Sequence, residues 1–171
     1  MSANLPHVVI YTDGACDPNP GPGGWAALLH YQGHERILTG SESSTTNNRM
    51  ELTAAIQALQ SLERPYRVDL YTDSAYLQKG ITEWLPRWRA RQWKRRGGSL
   101  ANIELWQALD IAAQQHQVSW HWLRGHAGNR YNQRVDQLAR QALMGRAPNE
   151  GCVPTDRPVG QRAAAEEVRN N

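Results

Sequence analysis

The sequence predicts an α/β fold: one domain built on a mixed five-stranded sheet flanked by helices. Two observations lead there. Three strand-like segments open the chain, and helical and strand periodicities alternate after them. Two of the strands also end alike, VVIYTDGA around Asp13 and VDLYTDSA around Asp73. With 171 residues the chain can bury a core without stapling. Its two cysteines, Cys16 and Cys152, match neither a disulfide framework nor a zinc spacing. No apolar run approaches a membrane span and no secretory leader pattern is present, so a cytoplasmic protein with no membrane partner is expected.

Residues 7–13 read as a strand with apolar groups on both faces. A Gly/Pro loop follows over 14–24, then two strands, 25–31 and 35–41, around the break Gln32-Gly33-His34. Leu52, Ala55, Ile56, Leu59 and Leu62 recur at helical spacing over 47–64, and Pro65 stops the helix. Residues 68–73 form a strand and a helical stretch runs to Gly80. A second helix from Ile81 into the basic segment is expected to be capped by Thr82, with Pro86 in its first turn, and to break at Gly97-Gly98-Ser99. A helix over 102–115, a strand over 118–123 with Val118, Trp120 and Trp122 on one face, and a helix over 130–144 ending at Gly145 complete the domain, 1–145. Residues 146–171 are polar, rich in Pro and Gly, and expected to be a disordered tail.

The charge balance is uneven. The net charge is +3, but Arg87, Arg89, Arg91, Lys94, Arg95 and Arg96 crowd into ten residues without an acid. The remainder carries thirteen basic residues against sixteen acidic ones. Three of the seven tryptophans, Trp84, Trp88 and Trp93, lie in or beside that patch. Cations interleaved with aromatic rings suit a polyanion with flat bases.

Four carboxylates stand out. If the two YTD strands are parallel neighbours, Asp13 and Asp73 lie about 4.8 Å apart at the sheet's carboxyl end, where α/β folds bind ligands. The local alternatives are a turn at Asp13-Gly14 and a helix cap at Asp73. Glu51 falls inside the apolar arc of its helix, where a carboxylate needs a partner; a capping box from Asn48 to Glu51 is the competing reading. Asp136 borders the apolar face of the last helix, ten residues after His126 in a Gly-His-Ala-Gly loop. Hard oxygen ligands suit Mg²⁺ or Mn²⁺, and no Walker-type loop is present. Acids plus a basic, tryptophan-rich patch fit two-metal phosphodiester cleavage.

YTDGAC, TTNNRMELTAAIQAL, YTDSAY and GHAG with an Asp ten residues after the His stand together in one order and spacing. On these motifs the chain resembles bacterial type 1 ribonuclease H from about Val8 to Leu143. The resemblance implies the ribonuclease H-like fold, with strand order 3-2-1-4-5. It also implies an endonuclease, acting as a monomer, that hydrolyses the RNA strand of an RNA–DNA hybrid to 5′-phosphate and 3′-hydroxyl ends without strong sequence specificity. By motif position it makes Asp13, Glu51, Asp73 and Asp136 the ligands of two Mg²⁺ ions and His126 the mobile histidine. Cys16, Asn19, Asn47 and Asn48 would read RNA 2′-hydroxyls. Thr46 and Asn102 would grip a DNA phosphate. Trp84 and Trp88 would line the DNA-strand channel, with Arg91, Lys94, Arg95 and Arg96 supplying sequence-independent affinity. Ala75 and Ser44 depart from the family pattern at a polar-amide position and at the phosphate pocket. Two rival readings, a DNA-processing nuclease and a catalytically dead hybrid-binding module, are separated from this one by a cleavage assay on hybrid, duplex DNA and duplex RNA.

Overall fold

The computed structural model describes residues 4–94, 101–124 and 129–145. Five strands form one sheet: β1 (His7–Cys16), β2 (Gly21–Tyr31), β3 (His34–Thr45), β4 (Arg67–Thr72) and β5 (Gln117–Trp122), in the order β3-β2-β1-β4-β5. The first three are antiparallel, whereas β4 joins β1 in parallel and β5 joins β4 likewise. The helices are α1 (Asn47–Gln60), α2 (Ala75–Lys79), α3 (Leu85–Ala90), α4 (Ile103–Gln114) and α5 (Arg130–Leu143). No helix of the described residues is long and apolar enough to cross a membrane.

Both parities of β1 and β2 are used, as their unbroken apolar runs require. Val8, Ile10, Ala27 and Leu29 face the larger core with Leu52, Leu59, Leu70, Trp106 and Leu109, from α1, β4 and α4. Ala26 and Leu28 face the other way, against Val135, Leu138 and Ala139 of α5. Each fully buried Leu or Ile stabilises the fold by about 1.5–3 kcal/mol. The β2–β3 turn is shorter than the sequence suggests, only Gln32-Gly33. Both residues have positive φ, 48° and 79°, the geometry a two-residue hairpin loop demands. The expected loop over 14–24 shrinks to residues 17–20, because β1 and β2 stay paired out to Cys16 and Gly23.

The helix starts decide against the capping alternatives at Asn48 and Asp73. Thr46, not Asn48, caps α1, its hydroxyl accepting the Arg49 N–H at 3.1 Å. Ser74, not Asp73, caps α2, accepting the Leu77 N–H at 3.0 Å. Helix α1 also ends earlier, at Gln60. Thr82 caps nothing: its hydroxyl donates to the Gln78 carbonyl at 2.7 Å. Helices α2 and α3 run on through a wide π turn over Gly80–Trp84, in which the Leu85 N–H reaches back to the Gly80 carbonyl. Pro86, near the start of α3, has no N–H to give and stands in the first turn, where proline is best tolerated. Helix α3 ends at Ala90, short of the glycines at 97–98, which lie outside the described residues. Gln92 and Trp93 take positive φ, and Trp93 turns back to lie 5.8 Å from the Trp88 ring.

Candidate active site

The two YTD strands meet as their sequences suggest. Tyr11 of β1 pairs with Tyr71 of β4, so Asp13, still paired with Ala26 of β2, and Asp73, just past β4, stand at the same level beyond the parallel pairing. Helix α1 brings Glu51 to them. That approach depends on Gly14, where a Cβ would fall 2.5 Å from the backbone of Met50 and Glu51. With no side chain at Gly14, the first turn of α1 lies directly on the end of β1. Oxygens of Asp13, Glu51 and Asp73 then lie within 4.8 Å of one another.

This cluster is electrostatically unfinished. Asp13 is 4% exposed and Glu51 6%. Burial first, and then the Asp73 carboxylate, push the Asp13 carboxyl up to about 8; Asp136 adds to the rise and the Gly14 N–H opposes it. Glu51 is pushed well above the usual carboxylate range by burial, then by Asp13 and Asp73. Its Oε1 has no hydrogen-bond partner among the described residues. An orphaned buried oxygen beside two more carboxylates is a donor set that a divalent cation completes. Asp136, on α5, reaches the cluster through Asp13, while its Oδ2 accepts the Arg140 Nε–H at 3.1 Å.

Two further residues touch this machinery, and the motif reading passed over both. Asn132 is buried on α5, one turn before Asp136, and its side-chain amide donates to Asp73 at 3.3 Å. The spacing of four from Asp136 is the signal that could have found it. Arg49 joins the two residues of the expected phosphate pocket. Its backbone N–H binds Thr46, and its guanidinium donates to Asn102 Oδ1 at 3.1 Å and pairs with Glu104 at 2.8 Å. Asn102 sits at φ 59° just before α4 and donates to the Tyr76 hydroxyl at 2.9 Å.

The other expected contact residues fall into two groups. The Cys16 thiol lies 3.4 Å from the Thr45 carbonyl, and the Asn47 N–H donates to Asn19 Oδ1 at 3.2 Å. This ties the 17–20 loop to the start of α1, where Asn48 is exposed. Trp84 and Trp88 stack with ring centres 6.0 Å apart, and Arg91 and Lys94 are exposed just beyond α3. His126, Arg95, Arg96 and the 146–171 tail lie outside the described residues.

Comparison with known proteins agrees with this architecture. The family model described as RNase H matches residues 6–144. Ribonuclease H of Nitrosococcus oceani is 59% identical over 137 residues, covering 80% of this chain and 93% of that protein. Ribonuclease H of Bradyrhizobium diazoefficiens is 53% identical over 143 residues, 83% and 93% respectively. Among solved structures, LC9-RNase H1, a type 1 RNase H with the type 2 active-site motif, aligns with a TM-score of 0.78 at 36% identity, covering 85% of this chain and 76% of its own. LC11-RNase H1, solved in complex with an RNA/DNA hybrid, shares the fold at a TM-score of 0.62 and 20% identity, over 81% of this chain and 97% of its own.

Proposed function

Because the chain belongs to the ribonuclease H family, we propose that it hydrolyses the RNA strand of RNA–DNA hybrids. In this reading it is a Mg²⁺-dependent endonuclease without strong sequence specificity, acting as a monomer and leaving 5′-phosphate and 3′-hydroxyl ends. The observation that carries the proposal is the Asp13–Glu51–Asp73 cluster: three acids within 4.8 Å, just beyond the point where the parallel pairing of β1 and β4 ends. Among the described residues neither Asp13 nor Glu51 is paired with a lysine or arginine.

Asp13, Glu51, Asp73 and Asp136 would hold two Mg²⁺ ions, or Mn²⁺ in their place, in line with the all-oxygen donor set. Bound there, such ions supply a water nucleophile at neutral pH and charge stabilisation at the leaving oxygen. Asn132 fixes the orientation of Asp73 through its amide. His126 moves a proton at the reacting centre or assists release of product. Cys16, Asn19, Asn47 and Asn48 distinguish RNA by its 2′-hydroxyl, a group that both donates and accepts. Thr46 and Asn102, held together by Arg49, take a DNA phosphate, while Trp84 and Trp88 line the DNA strand's path. Arg91, Lys94, Arg95 and Arg96 add salt-dependent affinity for the backbone. Residues 1–145 constitute the catalytic unit.

One incubation tests this: hybrid, duplex DNA and duplex RNA, each with and without Mg²⁺. Cleavage confined to the RNA of the hybrid and dependent on the metal is the expected result, with end-labelling showing 5′-phosphates. Cleavage of duplex DNA, or full activity in chelator, overturns the proposal.

A further inference from the structure

Asp136 differs from Asp13 and Glu51 in having an arginine on it. Among the described residues neither of those two is paired with a lysine or arginine, whereas Asp136 Oδ2 accepts the Arg140 Nε–H at 3.1 Å. The carboxylate is divided between two attractions, for it also shares a hydrogen bond with the Asp13 carboxyl. It does not enter the group whose oxygens lie within 4.8 Å of one another, Asp13, Glu51 and Asp73. The main chain around it has little room to shift. Val135, Leu138 and Ala139 pack against Ala26 and Leu28 of β2. Gly24 of β2 admits the helix so closely that a Cβ there would fall 2.4 Å from the Ala139 carbonyl oxygen and the Leu143 nitrogen. With the helix seated, the place of the Asp136 carboxylate is left to its side-chain torsions and to whatever holds its oxygens.

Arg140 stands four residues after Asp136, the spacing at which an acid and a following base meet on a helix surface. With side chains 25% and 66% exposed, such a pair adds little to stability, so its consequence lies in what it does to the acid. We propose that Arg140 is a positioning residue that competes with a divalent cation for Asp136, holding this acid back from the other three and keeping the cation exchangeable. The inference rests on the reading of Asp136 as a metal ligand. A guanidinium does not give up its proton, so Arg140 is a fixed positive charge beside that ligand. When an ion arrives, Asp136 either leaves Arg140 or is shared with it. Either way the ion is held less tightly than by a carboxylate without that partner. A unit charge beside a divalent cation, in water-like and salt-screened surroundings, changes affinity about 3- to 10-fold. Arg140 thus weakens the site without removing a ligand from it.

The test titrates the full chain with Mn²⁺ by calorimetry, without substrate and at physiological salt. Arg140→Gln, Arg140→Lys, Asp136→Asn, Asp136→Asn/Arg140→Gln and Asp13→Asn run beside the parent, each checked for native circular dichroism. Arg140→Gln should tighten Mn²⁺ about 3- to 10-fold. Arg140→Lys, which keeps the charge at the same spacing, should return affinity to within about twofold of the parent. Once Asp136 is asparagine there is no carboxylate to contest, and removing Arg140 should change affinity less than about twofold. Unchanged or weaker binding in Arg140→Gln, a lysine variant as tight as the glutamine one, or an equal gain with and without Asp136 each overturns the proposal. Asp13→Asn separates that failure from failure of the metal reading. If it binds Mn²⁺ as the parent does, or the parent binds none, the metal assignment falls and this proposal falls with it.

Discussion

Asp13 and Asp110 are buried almost equally, 4% and 5% exposed, yet they are opposite kinds of carboxylate. Asp110, on α4, is satisfied by the chain itself. Its Oδ1 accepts from Nε of Arg89 at 2.8 Å and from Nη2 of the same guanidinium, and its Oδ2 accepts from Gln114. Asp13 meets Glu51, Asp73 and Asp136 instead, with a single backbone N–H from Gly14. Burial sets the same desolvation cost in both places; the source of the counter-charge sets the role. Where the chain supplies the cation, the acid fastens one helix to another. Where it withholds the cation, the acid is left among other acids, as the proposed role of metal ligand requires.

Exchanging the charge at these two positions should separate the roles. The largest effect is expected at the strand ends: Asp13→Asn should lower hybrid cleavage at least about 10³-fold, roughly 4 kcal/mol of barrier. The same substitution should raise the melting temperature in chelator, because it removes repulsion. A variant that keeps its turnover would end the contrast. Asp110→Asn should do the reverse. It should cost about 1–3 kcal/mol in urea denaturation and raise KM more than it lowers kcat, since Arg89 lies beside Trp88 on α3.

A third effect concerns pH. The folded-state value of about 8 for Asp13 lies far above the unfolded one of about 3.9. Between those values the folded chain holds a proton that the unfolded chain has released. Metal-free stability therefore falls as pH rises from about 4 to about 8. Mg²⁺, which needs the ionised form, should oppose that fall. Melting curves across this range, in chelator and in Mg²⁺, would check both signs. The smallest effect is expected from Arg91→Ala/Lys94→Ala, which should flatten the salt dependence of KM by about one to two units of log–log slope with kcat nearly unchanged.

The sheet and three of the four acids were legible for a common reason. Strand alternation carries the YTD repeat to equal heights, and Glu51 sits where an amphipathic helix tolerates no unpartnered charge. Asp73 and Asn48 looked equally able to cap helices, and only the packed structure gives those tasks to Ser74 and Thr46. The end of α3 was hidden because local propensity is a weak guide there. Trp93 leaves the helix through positive-φ backbone at Gln92 and Trp93 that folds its ring back onto Trp88, a local reversal that the helical pattern does not display. Asn132 was passed over for a different reason: a lone amide carries no charge pattern, and its value emerges only once Asp73 lies beside it.

Gly14 carries no charge, donates one hydrogen bond from its backbone and has no side chain to mutate away, so a search for reactive groups passes over it. Yet the opening it leaves sets how near Glu51 comes to Asp13. A methyl group at that position would act as a spacer, keeping every acid in the sequence while prising the constellation apart. How closely the three carboxylates stand is thus set by a residue with no side chain of its own, and chemical conservatism there is no guide to tolerance.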